Sequence, residues 1–347
     1  MSPAVMKGQP KMKKYDVYCL GNALLDMEYE VTPKFIQTHG IEKGVMTLVD
    51  MARQEKLIDA LDGDSLKKVA SGGSAINSVI ALQHFGGKGF ASIKLANDEI
   101  GQHYLRDIQA AGLDCNYNNH DPGRGRSGTC LVLVTHDADR TMNTYLGISD
   151  QLSDKELNIE ALKASAYLYV EGYLVTSDSA LAAMLQAKEI ARQHDVKVAF
   201  TLSDPAIVQF FRPQFEQFIG DGVDLLFCNE EEAKIYTETD SCQAAAEALK
   251  NIAKQFVITL GKSGSLLYDG QNFIRIDATE VAPVDTVGAG DMYAGAFLAA
   301  LTQDKSWHYA GSLASAAATK VVTRYGPRLD AAEVNEIVVT LQEEHLV

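Results

Sequence analysis

Tyr167-Leu168-Tyr169-Val170 is an apolar run of strand length, and it opens the rhythm that decides the fold. Lys197–Leu202, Asp224–Cys228 and Phe256–Leu260 repeat it, each short and rich in β-branched or aromatic residues. Between them lie segments with helical spacing at Ser179–Gln193, Glu230–Tyr236 and Cys242–Ala253. Strands separated by whole helices run parallel, with helices on both faces of the sheet. Upstream, Tyr15–Leu20 and Phe90–Ile93 read as further strands, and Asp98–Ala111 as a helix. The expected fold is therefore α/β, built on a mainly parallel sheet.

Two irregular β sections, at about 27–50 and 114–149, do not fit that alternation. Met27–Val31 alternates like an exposed strand, and Thr129–Thr135 and Arg140–Leu146 read as two strands joined by His136–Asp139. Together they are expected to form a discontinuous β lid on one domain spanning 15–347. Residues 1–14 are basic and polar without the apolar core of a secretory signal, and read as a loose leader, with Met12 a candidate start of the ordered protein.

The 347 residues can bury a large core, and 46% apolar with 22% charged residues is ordinary for a globular protein. A formal net charge of −15 argues against nucleic acid or an anionic membrane as the main partner. The five cysteines include no C-x-x-C pair, and their odd number in a long chain argues against a disulfide framework or a zinc cage. No apolar run approaches the roughly 18 residues of a membrane helix, so the cytoplasm is the expected compartment.

Ligands of parallel sheets bind beyond the strands' carboxyl ends. Asn22, Gly72, Asn229 and Gly261 all follow strands or open helices there. So does Val284-Asp285-Thr286-Val287-Gly288-Ala289-Gly290-Asp291, which runs into an apolar, small-residue helix from Met292 to Leu301. The first N–H groups of a helix lack internal partners and, with the helix dipole, attract anions such as phosphate. Asp291 beside such a site is either an ordinary helix-start acid or the acceptor of a proton from a group attacking that phosphate. The standard nucleotide signatures, G-x-x-x-x-G-K-[ST] and G-x-G-x-x-G, are absent, and Gly261–Ser265 fails the G-x-S-x-G spacing.

Other stretches carry chemistry only in combination. Asp26 in Asn22-Ala23-Leu24-Leu25-Asp26 suits a vicinal diol, although Asn and Asp are also turn residues. Gly72-Gly73-Ser74-Ala75-Ile76-Asn77 admits a ligand against the backbone, or is a tight turn capped by Ser74. Asn229 and Glu232 share a helix face and suit Mg²⁺ through waters, or simply cap that helix.

The set, in this order, resembles the ribokinase-like (PfkB) family of carbohydrate and nucleoside kinases along nearly the whole chain after the leader. Residues 72–77 resemble its N-terminal signature, Asn229 and Glu232 its N-x-x-E motif, and Asp285–Asp291 its C-terminal signature. Within the family, Gly21–Asp26, Ser127–Cys130 and Leu202–Phe210 resemble adenosine kinases in particular, with Tyr173 where those enzymes place an aromatic against the purine. Ala206 departs from them, standing where better-known members carry Phe.

The resemblance implies a three-layer α/β/α sandwich with a β lid, and phosphorylation of the 5′-hydroxyl of a purine nucleoside, adenosine first, by ATP with Mg²⁺. A sugar kinase of the ribose or fructose type is the alternative. It implies Asp291 as base; Gly288, Ala289 and Gly290 as anion hole; and Asn22, Asp26, Gly72, Gly73, Ser74, Asn77 and Tyr173 around the acceptor. Asn229, Thr259, Gly261 and Gly264 would contact ATP, with Asn229 and Glu232 in the outer shell of Mg²⁺. Some members imply a monovalent cation, K⁺, near Asp285. Arg140 on the lid is either a candidate cation behind the residues that meet the ligands or a solvated surface residue. A monomer or homodimer is expected.

Overall fold

A computed structural model describes residues 13–117, 124–137 and 139–344. The expected leader lies outside the described residues as far as residue 12; Lys14 N–H already donates to Ala164 O at 2.8 Å. In chain order the strands are β1 (Tyr15–Leu20), β2 (Leu24–Glu30), β3 (Met46–Leu48), β4 (Leu66–Gly72), β5 (Gly89–Ser92), β6 (Asp114–Cys115) and β7 (Gly128–Val134). They continue as β8 (Arg140–Tyr145), β9 (Ser165–Glu171), β10 (Lys197–Thr201), β11 (Val223–Asn229), β12 (Ala253–Thr259), β13 (Ser265–Tyr268) and β14 (Phe273–Ile276).

Among the described residues the main sheet runs β14-β13-β12-β11-β10-β9-β1-β5-β6. Every neighbouring pair from β6 to β12 is parallel, as expected of strands joined by helices. Only β13 and β14, which the alternation did not anticipate, add antiparallel. Side chains leave each strand alternately for two cores. Tyr169, Ala199, Phe227 and Val257 point to one face and Val170, Phe200, Cys228 and Ile258 to the other. Helices cover both faces, giving the three-layer α/β/α sandwich.

The second sheet runs β3-β8-β7-β2-β4. Three particulars differ from the sequence reading. Leu66–Gly72 supplies an unanticipated strand of this sheet, while Asp114–Cys115, assigned to the lid, pairs with β5 in the main sheet. Nor is β2 exposed: it lies between β7 and β4, and Glu28 and Tyr29 are buried. Ile36 and Leu57, from the Pro33–Thr38 and Met51–Ala60 helices, cover Tyr29 and Leu131 on its outer side. An alternating pattern cannot reveal helices that arrive from elsewhere in the chain.

One helix crossing sets the geometry of the site. The Ala289–Thr302 helix crosses the Ser74–His84 helix at Gly295, where a β carbon would lie 2.1 Å from Ser78 O. Phe297, fully buried, anchors the same helix against Phe227, Tyr293 and Trp307, with ring centroids 5.8, 6.1 and 5.1 Å away. Such aromatic pairs contribute about 0.5–1.5 kcal/mol each beyond their burial. No helix of the described residues is long and apolar enough to cross a membrane.

Candidate active site

A cavity of about 260 Å³ lies between the carboxyl edge of the main sheet and the second sheet. Asn22 after β1, Glu171 closing β9, Thr201 closing β10, Asn229 closing β11 and Thr259 closing β12 all line it. This is the edge at which a parallel sheet presents backbone and side chains together. Leu24, Met46, Val132, Met142 and Leu146 form an apolar wall on the opposite side.

At one end stands the start of the Ala289–Thr302 helix. Gly288 precedes it with φ +72°, and a β carbon there would lie 2.4 Å from Pro327 Cβ, so only glycine fits. Ala289 N–H donates to Thr286 O at 3.4 Å, and among the described residues the N–H groups of Gly290 and Asp291 find no backbone acceptor outside their own helix. These are the orphan donors of a helix start, and they face the cavity. Asp285, wholly buried, shapes the loop by accepting Val287 N–H at 2.9 Å and Gly326 N–H at 3.3 Å.

The Asp291 carboxylate accepts Ser74 Oγ–H at 2.6 Å and Asn77 Nδ2–H at 3.4 Å. Ser74 therefore spends its hydroxyl on Asp291 and not on capping its own helix. Burial pushes the Asp291 carboxyl above the usual carboxylate range, opposed by Ser74, the Arg140 charge and Asn77. A loose phosphoryl-transfer step does not require that shift; it follows from placing an acid in a closed site.

Asp26 projects from β2 into the same cavity and accepts no hydrogen bond among the described residues. Burial raises its carboxyl to about 7, with the Arg328 charge opposing and Asp291 and Glu171 adding to the rise. Gly72 does not line the cavity, but it makes room for this carboxylate: a β carbon there would lie 1.9 Å from Asp26 Oδ2. Asn22 is held in place by Glu171, whose Oε1 accepts Asn22 N–H at 2.8 Å and Asn22 Nδ2–H at 3.0 Å. Glu171 Oε2 takes Ala75 N–H at 2.8 Å. Glu171 thus ties the end of β1 to the Gly-Gly helix start, a role the sequence reading missed. The only local signal was an acid at the end of a buried strand.

Burial holds the Glu171 and Glu232 carboxyls near 7, as it does Asp26. These folded-state values exceed the ordinary carboxylate range of about 4. Each group therefore contributes stability that is present below about pH 4 and lost as pH rises through about 7. Without ligands, the protein should melt at lower temperature at pH 8 than at pH 5.5. Glu171→Gln should flatten that slope in differential scanning calorimetry, and an unchanged slope would remove Glu171 from the account.

Asn229 and Glu232 close on each other as a capping box. Glu232 Oε2 accepts Asn229 N–H at 2.9 Å, Oε1 accepts Asn229 Nδ2–H at 2.7 Å, and Asn229 Oδ1 accepts Glu232 N–H at 2.8 Å. Both carboxylate oxygens already accept a hydrogen bond, which leaves lone pairs for metal-bound water but fits direct ligation poorly. Among the described residues there is no group of three or more His, Cys, Asp or Glu able to hold a metal.

Arg140 departs from the surface reading: it lines the cavity from β8, makes no ion pair among the described residues, and its charge lowers the carboxyls of Asp204, Glu232 and Asp291. Tyr173 lines the cavity and donates to Ser203 O at 3.3 Å. Ala206 is not part of the lining, and neither are Gly261 and Gly264, which turn β12 into β13. Ser203, given no role within the Leu202–Phe210 stretch, lines the cavity with φ +71°, a conformation costly for a non-glycine residue. Beside Asp285, Glu28 is buried and its Oε2 finds no hydrogen-bond donor; burial and Asp285 push its carboxyl upward.

The profile of the pfkB family carbohydrate kinases matches residues 59–334. The chain is 26% identical over 321 residues to an adenosine kinase of Schizophyllum commune, covering 84% of this chain and 90% of that protein. It is 28% identical over 247 residues to fructokinase-1 of Oryza sativa subsp. japonica, covering 68% and 75%. Two solved structures align closely. A probable sugar kinase from Rhizobium etli CFN 42 has TM-score 0.89 and 30% identity over 95% of this chain and 100% of that one. The adenosine kinase from Sinorhizobium meliloti has TM-score 0.88 and 32% identity over 94% and 99%.

Proposed function

Because the chain belongs to the pfkB family of carbohydrate kinases, and so is a phosphotransferase of the nucleoside and sugar kinase kind, we propose that it transfers the γ-phosphoryl group of ATP to the 5′-hydroxyl of a purine nucleoside, converting adenosine to AMP. The observation that carries this reading is the pairing, in one cavity, of an apolar wall with the Asp26 carboxylate, which accepts no hydrogen bond among the described residues. An ionised carboxylate accepts hydrogen bonds from two adjacent ribose hydroxyls. Met46, Val132, Met142 and Leu146 offer a base an apolar surface that a bare sugar has no use for.

In the proposed reaction, Asp291 takes the proton of the 5′-hydroxyl as its oxygen bonds to Pγ. The bond from Pγ to the bridging oxygen of ADP breaks, and ADP carries away that electron pair. The N–H groups of Gly288 to Asp291 donate to the phosphoryl oxygens, where charge accumulates in the transition state. Asn77 and Ser74 hold the Asp291 carboxylate in position. Mg²⁺, when bound with ATP, offsets phosphate charge, and the Asn229–Glu232 box suits its water shell. A monovalent cation near Asp285 is carried by the family resemblance alone.

The test is a panel of adenosine, other nucleosides, ribose and fructose with ATP and Mg²⁺, following ADP release and product mass. Phosphorylation of adenosine with KM well below that for any sugar is the expected result. Turnover of ribose or fructose with none of adenosine would replace the nucleoside reading by the sugar one, since Asp26, Asn77 and Asp291 serve either acceptor.

A further inference from the structure

Asn77 and Asp291 do not orient themselves. Behind them, outside the cavity lining, lies Arg328, whose side chain is only 14% exposed. Its Nη1 donates to Asp107 Oδ2, at 2.9 Å, on the Glu99–Ala110 helix. Its Nη2 donates to Ser71 O, to Ser71 Oγ at 2.7 Å and to Asn77 Oδ1 at 3.3 Å. Ser71 N–H in turn donates to the same Asp107 oxygen at 2.9 Å, which closes the network.

The positions of these partners matter more than their number. Ser71 lies near the end of β4, a strand of the second sheet, and Asn77 lies in the helix that follows it. One guanidinium plane therefore bridges Gly72-Gly73, the link between that sheet and the helix facing Asp291. A guanidinium has donors only, so the Asn77 oxygen must be the atom that faces it. That choice turns Nδ2 toward Asp291, where it donates at 3.4 Å. The two preceding residues act on the same site: Gly326 N–H binds Asp285, and Pro327 packs against Gly288.

We propose that Arg328 is a positioning residue for phosphoryl transfer, setting the orientation of the Asn77 amide toward Asp291 and fixing the root of the second sheet against the helix that carries Asn77. This rests on the kinase reading above. Arg328 is absent from the cavity lining; it acts on the site through Asn77 and Ser71, and its charge opposes the rise of the Asp26 carboxyl. A residue of that kind governs how the acceptor hydroxyl is held, and leaves the ATP side unaltered.

The experiment compares the wild type, Arg328→Ala, Arg328→Lys and Ser71→Ala as full chains, on the acceptor that the wild type phosphorylates best in the panel. Arg328→Ala should lose about 10²-fold in kcat/KM for the acceptor, the cost of a misplacement of about 1 Å, with KM for ATP unchanged. Arg328→Lys keeps the charge but loses the two-armed fork, and should remain impaired in the same parameter. Methylguanidine should restore acceptor kinetics to Arg328→Ala and do nothing for the wild type. Ser71→Ala, which removes one acceptor of Nη2, should show a smaller loss in the same direction, and it keeps the test open if the Arg328 variants fail to fold. A lowered melting temperature with acceptor kinetics unchanged, or equal losses for ATP and acceptor, would make Arg328 a stability residue and overturn the proposal. A sugar as the preferred acceptor defeats the adenosine reading alone, because Asn77 and Asp291 face either acceptor. A wild type that phosphorylates nothing in the panel overturns both.

Discussion

Asp291→Asn should lower kcat by about 10²–10⁴-fold, the usual worth of a general base, while KM for ATP stays close to that of the wild type. The amide matches the carboxylate in shape, so the contact with Ser74 Oγ can persist, whereas the contact with Asn77 Nδ2 is lost because the amide nitrogen then faces a second donor. What disappears is the one group in the anion site that can accept a proton. The variant should also be at least as heat-stable as the wild type, because burial already disfavours the charged form of Asp291 and a neutral amide avoids that cost. Steady-state kinetics together with a melting curve checks both halves. Unchanged ADP release would take Asp291 out of the mechanism, and a collapse in melting temperature would assign the loss to folding.

Arg140→Ala should cost about 10²–10³-fold in kcat, the usual penalty for removing a donor aimed at developing charge. Arg140 has no ion-pair partner among the described residues, although it lines a cavity that also holds Asp26, Glu232 and Asp291. A cation left unpaired among acids is suited to an incoming anion, and a planar guanidinium can grip two phosphate oxygens at once. Its position on β8 makes the contribution depend on how the second sheet sits over the cavity. Arg140→Lys should recover part of the loss, since charge survives without the fork. If kcat for Arg140→Ala stays within about twofold of the wild type, its charge acts only on the resting acids and not on the transferring phosphoryl group.

Much of the scaffold was legible because its causes are local. Tyr167–Val170 and the three runs that follow are strands because short apolar segments separated by helix-length spacers have few other ways to bury themselves. Gly288 to Asp291 read as an anion site because unpartnered N–H groups belong to any helix start. The second sheet was harder. Leu66–Gly72 carries exposed lysines, and nothing nearby in the chain announces that it pairs with β2. Asp114–Cys115 is too short to declare a partner and joins the main sheet through β5.

The site divides in the same way. Asn22, Asp26, Asn77, Asn229, Glu232 and Asp291 each stand in a motif that the ordered set and its family resemblance single out, and the tertiary structure gathers them around one cavity. Glu171 and Arg328 stand in no such motif, and Ser203 lies in the Leu202–Phe210 stretch with no role read from it. The reach of Arg140 into the cavity and the absence of Gly72, Gly261 and Gly264 from its lining were likewise beyond a linear reading.

By itself, then, the amino-acid sequence determined a parallel α/β sheet and an acid beside an anion-binding helix start, since periodicity and unpaired backbone donors are properties of a few neighbouring residues. Only the tertiary structure decided what that acid faces. Ser74 and Asn77 reach Asp291 because two helices cross closely at Gly295, and Arg328 meets Asn77 from 251 residues away. Such contacts depend on strand order and helix crossing, which emerge when the whole chain packs and have no counterpart in any local run of residues.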